Sequence, residues 1–85
     1  MARRIEYSRD AIRALGRIDR KTADRIRTKI DQLARDPLLL ANNVTALKGE
    51  PGLMRLRVGD WRVIYTERMM VLLVLRIAPR GSAYE

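Results

Sequence analysis

The chain of 85 residues carries 18 lysines and arginines against 10 aspartates and glutamates, for a net charge of +8, and 47% of it is apolar. That balance fits one small folded domain over residues 1–85, and the basic excess suits nucleic acid, anionic lipid or an acidic protein as partner. With no cysteine and no histidine, there can be no disulfide, no thiolate nucleophile and no imidazole base, zinc loses its preferred ligands, and no cofactor or metal is expected.

In chain order, RRIEY (Arg3–Tyr7) reads as a short first strand with Ile5 turned inward between charged neighbours. Ser8 is a candidate N-cap, and Asp10 sits in the first turn, where the helix dipole favours negative charge. A helix follows over Arg9–Arg17, with Ala11, Ile12 and Leu15 on its buried stripe. Asp19 caps a second helix in which Ala23, Ile26, Ile30 and Leu33 recur at three- and four-residue spacing. RDP (Arg35–Pro37) ends it, because the residue before proline avoids the helical region. The stretch Pro37–Gly52 is irregular and turn-rich, with Leu38, Leu39 and Leu40 expected to anchor it to the core as one helical turn. After a hairpin and a turn near Glu67–Arg68, Met69–Ile77 reads as a central strand covered on both faces. Pro79 and Gly81 mark a bend in the tail. The order β-α-α-β-β-β predicts an α+β fold, with two N-terminal helices on one face of a curved, mostly antiparallel sheet. The N-terminus lacks the apolar run of a signal peptide, and MMVLLVL is too short to cross a bilayer, so a cytoplasmic protein with no membrane partner is expected.

The hairpin is MRLRVGDWRVIY (Met54–Tyr65). Gly59-Asp60 forms its two-residue turn, since glycine supplies the positive φ such turns need. That register sets Val58 opposite Trp61, Arg57 opposite Arg62, Leu56 opposite Val63 and Arg55 opposite Ile64. Side chains alternate along a strand, so Met54, Leu56, Val58, Trp61, Val63 and Tyr65 face the core while Arg55, Arg57 and Arg62 face away. Like charges directly across a ladder destabilise a sheet. Either the arginines diverge into water or an anion sits among them.

If the anion is an RNA phosphate, cleavage without a metal needs three things. The 2′-OH must be deprotonated, the phosphorane charge neutralised and the leaving 5′-oxygen protonated. Arginines supply the second through fixed donors aimed at the phosphate oxygens. The base must be a tyrosine or a carboxylate. Tyr84 lies four residues beyond Arg80, and surrounding cations favour a phenolate. Lys48 and Glu50, in the loop before the hairpin, are within reach of the same face.

LKGEPGLMRLRVGDWRVIY, followed by VLRIAPRGSAYE, resembles the RelE/ParE superfamily of bacterial and archaeal toxins, more closely the RelE type. That resemblance implies a toxin of a type II toxin–antitoxin pair, acting as a ribosome-dependent endoribonuclease that cuts mRNA in the A site. Arg55 and Arg57 match the basic hairpin positions that bind substrate, with Lys48 nearby. Arg62 matches the arginine that stabilises the phosphorane. Arg80 matches the tail arginine that assists the leaving group, and Tyr84 the tyrosine that acts as base or as a stacking group. Pro79 departs from the family, which often has histidine or lysine before the tail arginine. The implied partners are the ribosome, mRNA and a cognate antitoxin, with the toxin monomeric alone and hetero-oligomeric with its antitoxin. Two other readings share the fold: a ParE-like inhibitor of DNA gyrase, and a degenerate relative that only binds its antitoxin.

Overall fold

Two side-chain caps start the helices at the positions the sequence marks. In the computed structural model, which describes residues 2–81, Ser8 Oγ accepts a hydrogen bond from the Ala11 amide at 3.0 Å, and Asp19 accepts one from the Thr22 amide at 2.9 Å. The elements are β1 (Arg4–Tyr7), α1 (Arg9–Arg17), α2 (Arg20–Arg35), a 3₁₀ segment Pro37–Asn43, β2 (Val44–Ala46), β3 (Met54–Val58), β4 (Trp61–Arg68) and β5 (Val71–Pro79). Both helices therefore match the expected spans. Ser8 does more than cap, because its hydroxyl also donates to the Leu75 carbonyl at 2.6 Å and ties the start of α1 to β5.

The five strands form one mixed sheet in the order β1-β5-β4-β3-β2. Four strands run as an antiparallel meander, and β1 joins parallel to β5, with Ile5 beside Leu72 and Tyr7 beside Val74. The helices cover one face. Ala11, Leu15, Ala23, Ile26, Ile30 and Leu33 pack there against Leu56, Val58, Val63, Tyr65, Leu72, Val74 and Ile77. Ile26 and Ile30 are fully enclosed, and a buried side chain of that size contributes about 1.5–3 kcal/mol relative to exposure. Arg3 fastens the N-terminus to this arrangement. Its amide donates to the Ala34 carbonyl at 3.1 Å, its guanidinium donates to the Leu33 carbonyl at 2.7 Å, and it pairs with Glu67 on β4.

The second face is not bare. Leu47 and Leu53, from the loop before the hairpin, fold over Ile64 and Ala78 to make a small separate cluster. A bulge between Ile64 and Tyr65 explains how β5 serves both clusters. It leaves Leu75 unpaired, so the inward positions change from Leu72 and Val74 before the bulge to Ile77 after it.

Three expectations are corrected. Ile12 is 59% exposed, because it lies one position round from the Ala11–Leu15 stripe, and Ala14 packs on the core in its place. Leu38 and Leu39 are 83% and 68% exposed. A 3₁₀ segment has three residues per turn and buries a single row, so only Leu40 reaches inward. The turn after β4 is at Met69–Met70, with φ of 49° and 70°, while Glu67 and Arg68 still pair with Leu72 and Val71. Two successive positive φ values are the geometry of a tight primed hairpin turn, usually signalled by Asn-Gly rather than by two methionines. The edge strand β2 is an element the sequence pattern did not reveal.

Candidate functional site

Gly59 holds φ of 58° at the first position of the β3–β4 turn, and the strand pairing follows: Arg57 opposite Arg62, Arg55 opposite Ile64, Val58 opposite Trp61. Alternation then places Trp61 and Tyr65 with the core and the three arginines on the opposite face, as expected. An ideal Cβ on Gly59 would lie 3.2 Å from the Arg25 guanidinium, so α2 packs against the tip of the hairpin.

Arg57 and Arg62 do not simply diverge. Arg62 turns back to its own turn, with Nη1 donating to the Gly59 and Trp61 carbonyls, each at 3.0 Å. Those bonds fix the guanidinium, and among the described residues no carboxylate pairs with it. The tail arrives at the same place, because the Arg80 amide donates to the Asp60 carbonyl at 2.7 Å. A hollow of about 640 Å³ results, lined by Asn43, Arg57, Gly59, Asp60, Arg62 and Arg80. Beside it lies a smaller one of about 170 Å³, lined by Asn42, Asn43, Thr45, Arg55, Arg57 and Arg62. Arg57, Arg62 and Asn43 are common to both.

Of the residues singled out from sequence, the structure thus gathers Arg55, Arg57, Arg62 and Arg80 around adjoining hollows. Lys48 is exposed in the loop before β3 and lines neither. Tyr84 lies outside the described residues. Asn43 was missed, since its only local signal is the turn-prone Asn42-Asn43 pair ahead of β2. Asp60 was read only as a turn residue.

Elsewhere, about 600 Å³ opens between α1 and the end of β5, where Asp10, Arg13, Arg17, Asp19 and Arg76 surround Trp61. Two aspartates offset its three arginines, against one among three in the larger arginine hollow and none in the smaller, so it is the weaker candidate for a polyanion. The two perturbed phenols belong to the core side. Burial pushes Tyr65 up to about 12, reinforced by Glu67, and burial followed by Asp31 raises Tyr7. Neither can serve as a base. No described helix is long and apolar enough to cross a membrane.

The fold is shared with several solved toxins. The toxin of the RelE–RelB complex from Pyrococcus horikoshii OT3 is 30% identical, with a TM-score of 0.79 over 98% of this chain and 100% of that one. The chain matched in the RelBE2 complex from Mycobacterium tuberculosis is 20% identical, with a TM-score of 0.77 over 94% and 100%. That in the DinJ–YafQ complex from E. coli is 16% identical, with a TM-score of 0.76 over 100% of both. No curated protein sequence matches. Residues 5–84 match the family described as the ParE toxin of the type II toxin–antitoxin system parDE. The chain therefore belongs to the ParE toxin family of type II toxin–antitoxin systems, within the RelE/ParE superfamily.

Proposed function

We propose that this toxin is a ribosome-dependent endoribonuclease that cuts mRNA in the A site through attack of the 2′-OH, without a metal. The supporting observation is the meeting of Arg57, Arg62 and Arg80 in one hollow with Arg55 adjoining. A phosphorane carries its charge on the equatorial oxygens, and donors fixed in advance around it lower the barrier most. Arg62, already held by two carbonyls, neutralises that charge. Arg80 attends the leaving 5′-oxygen, Arg55 and Arg57 grip the flanking backbone, and Lys48 reaches the strand from further out. Tyr84 serves as base or as a stacking surface, the role its match to the family's tyrosine implies. The products are a 2′,3′-cyclic phosphate and a 5′-OH.

An antitoxin partner is supported by the structural relatives above, which come from toxin–antitoxin complexes. The free toxin acts as a monomer, and an acidic antitoxin segment, complementary to the net charge of +8, covers the arginine face. Toeprinting on a translated message tests the nuclease reading. Wild type should give A-site cuts that Arg62→Ala abolishes, and wild type without cuts ends the proposal. The family match favours a second reading, inhibition of DNA gyrase by protein contact. A supercoiling assay separates the two, because a nuclease leaves gyrase untouched.

A further inference from the structure

The side chains gathered around the two hollows divide by chemistry. The arginines present donors alone and suit phosphate oxygens. Asn43 lines both hollows, and its amide sets one acceptor beside two donors, the pattern that pairs with two atoms of a base edge at once. We propose that Asn43 reads an adenine beside the scissile linkage, its amide bonding the N6 amino group and a neighbouring ring nitrogen, an assignment that rests on the nuclease reading above.

Three observations carry it. The first is direction. Val44 is extended, with φ of −113° and ψ of 132°, and its side chain packs on the helix-covered core. The residues on either side of an extended residue point to the opposite face, so Asn43 and Thr45 turn towards the arginines. Thr45 pairs with Arg55 and Val44 with Leu56, and the same register carried back one step sets Asn43 beside Arg57. The second is availability. Among the described residues no hydrogen bond engages the Asn43 amide, whereas Thr66 on β4 donates to the Gly52 carbonyl. The third is that the backbone gives no reason for an asparagine there. Asparagine is favoured where φ is positive or where its side chain bonds the local backbone. Among the described residues the positive φ values outside glycine belong to Met69 and Met70. The 3₁₀ segment closes on a bond from the Val44 amide to the Ala41 carbonyl, without help from the asparagine.

The layout suits a single strand of RNA. Strands β3 and β4 bring Arg55, Arg57 and Arg62 to the middle of this face, and the β2 edge brings the neutral Asn43 and Thr45. The hollows have Arg57, Arg62 and Asn43 in common, so an RNA whose adjacent phosphates enter them passes the intervening nucleotide along that edge. Unstacked bases of single-stranded RNA expose the edges an amide pairs with.

Single-turnover cleavage on programmed ribosomes tests the assignment, with messages that differ only in the nucleotide on the 5′ or the 3′ side of the cut. Wild type, Asn43→Ala and Asn43→Asp are compared. Wild type should cut fastest with adenine at one of these two positions. Asn43→Ala should reduce that preference by about 5- to 150-fold, the discrimination one bidentate amide–base pair supplies, with the melting temperature unchanged. Asn43→Asp only accepts, so it should move the preference at that position to cytosine, whose N4 amino group donates. A structural role for Asn43 would instead change the rates for all four bases alike. Wild type that cuts none of the messages overturns the nuclease reading and this assignment with it. Wild type that cuts all four alike, or favours another base at both positions, overturns the assignment alone. So does an adenine preference that survives in either variant.

Discussion

Arg62 shows how one side chain departs from what charge alone predicts. Opposite Arg57 it should be repelled, yet two carbonyls of its own turn hold it in place. A lysine there keeps the charge but cannot hold two carbonyls and a phosphate with one planar fork. Arg62→Lys should therefore lose about 1.5–3 kcal/mol of transition-state stabilisation, the worth of a charged hydrogen bond, with melting temperature unchanged. Rates from single-turnover cleavage check this. Ser8 is the structural counterpart, accepting from Ala11 and donating to Leu75 with one oxygen. Ser8→Ala loses a cap and leaves a carbonyl unpaired, so denaturant unfolding should show a loss of about 2 kcal/mol.

At the scale of elements, what could be read from sequence was whatever a local rule determines. Both helices follow from caps, apolar spacing and Asp36-Pro37, and the hairpin register follows from Gly59 and strict alternation. Those same rules brought Arg55, Arg57 and Arg62 to one face. Arg80 joins them through a backbone bond to Asp60 across 20 residues of chain, which no local pattern encodes. Strand β2 was illegible because its three residues are mostly exposed and exist as a strand only through pairing with β3. The Met69–Met70 turn hid behind side chains that look like strand. Since a non-glycine residue in the left-handed region costs about 1–2 kcal/mol, replacing Met69-Met70 with Asn-Gly should raise stability by a similar amount in urea titrations, with cleavage unchanged.

For the whole molecule, charge and pH give the accessible tests. A net charge of +8 repels itself in the free toxin and would be offset by the acidic antitoxin segment proposed above. Salt should therefore weaken the complex and leave the free toxin as stable or more so, as titration calorimetry and thermal melts across ionic strength would record. The buried phenols set the alkaline limit. Tyr65 and Tyr7 have folded pKa values above the ordinary 10, Tyr65 at about 12. The unfolded chain thus releases these protons first. The stability they contribute is fully present below pH 10 and disappears as pH climbs towards about 12. Thermal melts between pH 8 and pH 12 should fall steeply in that window, and Tyr65→Phe should flatten the fall.

Strand β5 lies between β1 and β4 and is synthesised after the other four described strands. During synthesis the first strand and both helices must wait without their main support, because nothing in the earlier chain can replace Leu72, Val74 and Ile77. Arg80 takes its place later still. A growing chain accordingly cannot assemble the arginine face until β5 and Arg80 have emerged, and an antitoxin that recognises that face has nothing to seize before then.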